Sequence, residues 1–213
     1  MKKIAIMLLA VFVMACSSDS NDGPNTSNYS LYIIADVNGQ TFESGIDVDA
    51  VSNADPYGAS LSYQPIYNGP ACVDMIYEPG LYPFGDDTLG NMGIGFVRFL
   101  SNAGITCAQE LDNFDMLFPT GSYTYAMNSD SYGVNINYAP SSDGNSGYYL
   151  SYGPQDGSAS FQITSIEPYD CGFSQCLFVT GTFSCTLYNE QDPTDTLEIT
   201  NGIFKLSHRS WNP

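Results

Sequence analysis

The chain has 213 residues, with 5 Lys and Arg against 23 Asp and Glu, one His, 16 Tyr, 12 Phe and 6 Cys. A formal charge of −18 excludes nucleic-acid binding, which needs clustered Lys and Arg to displace counterions. It also excludes adhesion to anionic headgroups through a basic patch, and a single histidine, His208 near the tail, all but rules out a Ser-His-Asp triad and a His-based metal centre.

The first element is an apolar run from Ile4 to Met14 behind Lys2 and Lys3. It is too short to cross a bilayer as a helix and has the shape of a secretory h-region. The string Val13-Met14-Ala15-Cys16 closes it and resembles a bacterial lipobox. That resemblance implies that residues 1–15 are removed as a lipoprotein signal peptide. Cys16 is then the acylated first residue, and the membrane is a partner through lipid alone. Losing Lys2 and Lys3 leaves three basic residues, Arg98, Lys205 and Arg209, against 23 acidic ones, a formal charge of −20.

Residues 16–28 are rich in Ser, Asp and Asn and hold no large apolar side chain, which predicts a disordered tether. Ser17, rather than Asp, at the second mature position fits sorting to the outer membrane. The Ser/Asp stretch resembles the surface-export signal of Bacteroidetes-type lipoproteins, and it reads equally well as a plain spacer.

Residues 29–208 are predicted to form one all-β domain, with 209–213 as a tail. Frequent Tyr, Phe, Thr, Gly and Pro suit strands joined by tight turns. Ser30 to Asp36 alternates, meets Asn38-Gly39, and returns from Thr41 to Ser44. Asn-Gly is the strongest short hairpin signal because a type I′ turn needs positive φ twice. Ala71–Tyr77 and Met92–Leu100 read as strands, and Cys107 to Phe114 reads as two helical turns. Phe118 to Tyr125 is a turn feeding a strand. Val134–Tyr138 and Tyr148–Tyr152 pair across the loop at 141–145. Ala159–Ile166, Leu177–Tyr188 and Leu197–Leu206 complete about nine to ten strands. They predict a single antiparallel β-sandwich or flattened barrel.

The last two strands carry the clearest pattern. Val179, Gly181, Phe183, Cys185 and Leu187 share one face. Leu197 and Ile199 are out of phase with Phe204 and Leu206, so all four reach the core only if one residue is inserted between them. A bulge at Asn201-Gly202 supplies it. That bulge pairs Leu187 with Leu197, Cys185 with Ile199, Gly181 with Phe204 and Val179 with Leu206. The competing reading is a tight hairpin at Asn201-Gly202 that pairs Ile199 with Phe204. The bulge is preferred because Leu177–Tyr188 needs a full-length partner.

Gly181-Thr182-Phe183-Ser184 followed by Ile199-Thr200-Asn201-Gly202-Ile203-Phe204 resembles the C-terminal signature of small Bacteroidetes-type lipoproteins with a β-rich domain of unknown function. Pro119-Thr120-Gly121-Ser122-Tyr123 and Ala35-Asp36-Val37-Asn38-Gly39-Gln40-Thr41-Phe42 fit the same family. The resemblance covers residues 31–44 and 118–206 and implies a lipid-anchored β domain. The matched residues are turn glycines and core aromatics, so it implies no catalytic role.

Five cysteines remain besides Cys16, so at least one thiol is unpaired. Cys171 and Cys176 bracket a turn and are expected to pair. Cys176 and Cys185 share one strand about 30 Å apart and cannot. Cys72 with Cys107 is the remaining pair, and Cys185 is the buried free thiol. No cofactor is expected. Calcium is the one metal the loops suit, with Asp47, Asp49, Asp112 and Asp115 as candidate ligands, and Asp86-Asp87 and Asp192 with Asp195 of the same kind, although a solvated acidic loop explains them as well. The tyrosines at 57, 63, 67, 77, 82, 148, 149 and 152 suit either sugar stacking or a half-buried pleated surface. Asp87-Thr88-Leu89 and Asp195-Thr196-Leu197 also resemble the Asp-Thr-aliphatic O-glycosylation sites of this bacterial group. The expectation is a non-catalytic, outer-membrane, surface-facing lipoprotein with a binding or structural role and a glycan or surface-protein partner. A carboxylate-based carbohydrate-active enzyme is the reading from another class.

Overall fold

The computed structural model describes residues 26, 29–46, 59–61, 74–77, 79–81, 90–99, 119–129, 131–141, 147–170 and 175–209. Several expectations lie outside them: the signal peptide, the helical turns at 107–114, Cys16, Cys72, Cys107, Cys171, the side chain of Cys176, and the carboxylates of Asp47, Asp49, Asp86, Asp87, Asp112 and Asp115.

All twelve described elements are strands. They are β1 (Leu31–Val37), β2 (Gln40–Ile46), β3 (Ala59–Leu61), β4 (Asp74–Tyr77), β5 (Pro79–Leu81), β6 (Asn91–Phe99), β7 (Gly121–Tyr123), β8 (Gly133–Ala139), β9 (Tyr149–Leu150), β10 (Ser160–Asp170), β11 (Gln175–Asn189) and β12 (Thr196–Arg209). The fold is all-β and antiparallel, as the composition predicts. The expected sandwich or barrel is realised by one continuous sheet that curls on itself, in the order β2-β1-β12-β11-β9-β8-β6-β5-β3. The strand count exceeds nine or ten because of β3 and β5, each only 3 residues long. Segments that short show no period of two to read.

The curl is visible in the rings. Phe96 on β6 meets Phe161 on β10 edge-on at 5.6 Å, and Phe161 stacks on Phe204 of β12 at 5.4 Å. β6 and β12 are far apart in strand order, so a ring on β10 that touches both means that the two halves of the sheet face each other. All three rings are fully buried. Burying each contributes about 1.5–3 kcal/mol.

The sheet forks at β11. β10 pairs with one stretch of its edge, from Gln175 to Ser184, and β9 pairs with another, at Tyr188 and Asn189. Between them, Thr186 would be left without a strand partner. The Gln155 amide fills that place: its Oε1 accepts from Thr186 N at 2.9 Å, and its Nε2 donates to Thr186 O at 3.0 Å. A side chain thus satisfies a gap in the ladder that would otherwise cost about 1–3 kcal/mol per unpaired buried group.

The register of β11 with β12 decides which side chains face out. Leu187 pairs with Leu197, Cys185 with Ile199, Gly181 with Phe204 and Val179 with Leu206, and the register shifts between Phe183 and Cys185. The bulge exists and the tight hairpin does not. One detail differs from the simplest expectation: the left-handed residue is Asn201, at φ 53°, and not Gly202. Gly202 is needed for space instead, because a Cβ there would lie 2.5 Å from Phe183 O. At Gly181 a Cβ would lie 2.5 Å from Phe204 Cζ, so the ring does cover the bare glycine.

Candidate functional site: the groove at the bulge

Along β11, core residues alternate with outward ones, and the outward ones are Thr182, Ser184 and Thr186. The same alternation puts Ser160 outward on β10. On β12 the bulge sets Thr200 and Asn201 together opposite Ser184. β1 feels the same insertion, since Ile34 pairs with Ile203 but Asp36 pairs with Thr200. A bulge shared by both neighbours bends the strand and sharpens the local twist. The surface opens there into a groove of about 790 Å³.

Its lining is rich in hydroxyls from Thr41, Ser158, Ser160, Thr182, Ser184 and Thr200, with the Asn201 amide and the Asp36 carboxylate. Asn201 Nδ2 donates to Asp36 Oδ2 at 2.8 Å, and Thr41 Oγ1 donates to Asp36 Oδ1 at 3.1 Å. The left-handed backbone at Asn201 is part of this geometry, and Asn tolerates that conformation better than most side chains. Ser184 Oγ donates to Ser158 O at 2.8 Å and lies 3.1 Å from Ser160 Oγ. Beside the groove, the Ser158 hydroxyl and the N–H groups of Ser158 and Ala159 hold the Asp156 carboxyl below the usual carboxylate range. Ile34, on the outer face yet 2% exposed, and half-buried Ile203 form an apolar floor. Among the described residues, Asp36 is the one charged side chain in the lining.

An aromatic ledge continues the outer face along the strands. Tyr169 stacks on Phe178 with centroids 3.9 Å apart, and Lys205 Nζ lies 4.4 Å from the Phe178 centroid. A parallel ring at 3.9 Å leaves no room for an ammonium on the same side, so Phe178 is covered on both faces. The Tyr169 hydroxyl meets Ser207 Oγ. This ledge is satisfied internally and offers no Phe178 face for stacking.

The other sequence-predicted groups go elsewhere. Cys185 faces the core and is a free, buried thiol whose pKa burial pushes up to about 12. Tyr125 sits beside it and donates to Ser160 O at 2.9 Å and Ser184 O at 3.0 Å, and burial raises its pKa far above the ordinary value. Asp192 Oδ1 accepts from Thr194 N at 3.0 Å and from its hydroxyl at 2.6 Å. Asp195 Oδ2 accepts from Tyr149 OH at 2.7 Å and Asn189 Nδ2 at 3.1 Å. These two carboxylates shape the β11–β12 turn and do not converge. Among the described residues, no three His, Cys, Asp or Glu side chains gather as a metal site would require. Tyr132 and Tyr148, 48% and 42% exposed, lie outside the groove, and Tyr149 is buried.

The sequence names none of the groove residues as ligand contacts. The signal was present, because every outward position between Val179 and Leu187 on β11 is Thr or Ser. What it lacks is the meeting of Asp36 with Asn201, which are 165 residues apart. No protein-family model, no curated protein and no solved structure matches the chain.

Proposed function

We propose that this chain is a non-catalytic, lipid-anchored lipoprotein of the outer membrane that presents its outer-face groove to a ligand. The groove is the observation that carries the binding reading. A solvent-facing sheet surface is ordinarily a scatter of polar side chains, whereas here a bulge gathers hydroxyls, an amide and a pinned carboxylate over an apolar floor. The anchor rests on Val13-Met14-Ala15-Cys16 behind the short apolar run and on the resemblance to Bacteroidetes-type lipoproteins. Acyl chains on Cys16 hold a protein to membrane at about 0.8 kcal/mol per buried CH₂, and more than one chain gives stable residence.

Fractionation tests the anchor. The wild type is expected in the outer-membrane fraction with an acylated Cys16, and Cys16→Ser in the soluble fraction. An unmodified Cys16 in the mass spectrum of the native protein overturns the anchored reading.

A further inference from the structure

We infer that the groove binds an uncharged oligosaccharide laid across the strands; this rests on the binding reading above and names its ligand class. The lining runs from Thr41 on β2 through β1, β12 and β11 to Ser160 on β10 and Ser158 just before it. Five adjacent strands span roughly 19 Å, the length of a short oligosaccharide rather than of one sugar. β1, β12 and β11, which carry the middle of the groove, each have a strand partner on both sides, so over them a ligand meets mainly side chains. An extended peptide, by contrast, is recognised through an open sheet edge.

The side chains suit a polyol. Hydroxyls both donate and accept, as sugar hydroxyls do, and those of Thr182 and Thr200 have no hydrogen-bond partner among the described residues. Asp36 has roughly four lone-pair sites, of which Asn201 and Thr41 take two, so it retains acceptor capacity in the groove. Asn201 commits its amide nitrogen to Asp36, which leaves Oδ1 as an acceptor. Half-buried Ile203, beside the buried Ile34, lies where the C–H face of a sugar ring would rest.

Charge selects within the class. The lining carries one carboxylate and no cation among the described residues, and the nearest ammonium on the same face, that of Lys205, lies over Phe178. The chain behind it carries a formal charge of −18. A uronate or sulfate ester would enter against this field with no partner.

The test uses the acylated chain from Cys16 onward in a non-glycosidic detergent. It is titrated against neutral, uronic-acid and sulfated oligosaccharides of graded length and against an extended neutral peptide. Neutral oligosaccharides are expected to bind, with affinity rising with length until the groove is spanned and changing little with salt. Thr182→Val and Thr200→Val are each expected to weaken binding about tenfold, since each leaves a ligand hydroxyl unpaired. Lys205→Gln, outside the groove, is expected to leave it unchanged. Equal or tighter binding of the acidic sugars overturns the charge argument. Neutral binding that survives both Thr variants overturns the site. Binding of the peptide in place of sugar, or of no saccharide at all, overturns the inference; the anchored reading stands or falls separately on Cys16.

Discussion

Asn-Gly occurs at residues 38–39 and again at 201–202, and the same dipeptide folds in two ways. At the first site both residues take positive φ, 49° and 77°, and the chain reverses from β1 into β2. At the second only Asn201 does, at 53°, and the chain continues as one strand through the bulge. Local preference is identical, so the neighbours decide. After Gly39 the chain has β1 to pair with, while β12 has β11 on one side and β1 on the other. Folding β12 into a hairpin would strip both of a partner. The glycines also serve different ends: a Cβ at Gly39 meets nothing within 4 Å, whereas one at Gly202 meets Phe183. The first is required for its dihedral, the second for its emptiness.

Substitutions can break that contrast, and urea denaturation reads them. Phe204→Ala should be the most damaging, at about 3–5 kcal/mol. It removes a buried ring that stacks on Phe161 and covers Gly181. A mild effect would mean that the bulge does not turn Phe204 inward. Gly202→Val comes next at about 1–3 kcal/mol, from overpacking against Phe183. Asn201→Gly should cost much less, since glycine accepts the left-handed conformation and only the bond to Asp36 is lost. The reverse ranking would place the left-handed residue at Gly202.

Gly39→Ala should cost about 1–2 kcal/mol, a purely conformational penalty. Its companion Asn38 is tied by its own hydrogen bonds to Glu198, at 2.8 Å through N and 2.7 Å through Oδ1, so the turn should deform before it detaches. Comparing the amide exchange of residues 38–41 in this variant with Gly202→Val would separate a local defect from a global one. Thr200→Val should be the smallest, within about 0.5 kcal/mol, because the side chain is exposed. A large loss there would invert the facing of β12 and remove the groove with it.

How much of this was legible follows from periodicity. The pairs of β11 with β12 could be read because fifteen and fourteen residues give the alternation room to declare its phase and its break. The β1–β2 hairpin was legible through Asn38-Gly39. β3 and β5 were not, because three residues carry no period, and they gain their place only from β6 and from each other. The fork at β11 was hidden for another reason: nothing local marks Gln155 as a stand-in for backbone. In the groove, the outward Thr and Ser were implied by the inward core. Of the tyrosines named for sugar stacking, Tyr149 turns into the core while Tyr148 beside it is exposed, a split that alternation into β9 produces and composition does not show.

The position of β1, between β2 and β12, also orders events in time. The β1–β2 hairpin can close as soon as it is made, yet Tyr32 waits for Lys205 and Ile34 for Ile203. Loop closure over such a separation is slow, and it comes late in folding. Until β12 arrives, the inner edges of both β1 and β11 remain open, so a chain stalled before Thr196 exposes two strands that pair with any suitable neighbour. β12 is therefore the latch of the fold, and a shortened chain should be lost to aggregation rather than persist as a smaller domain.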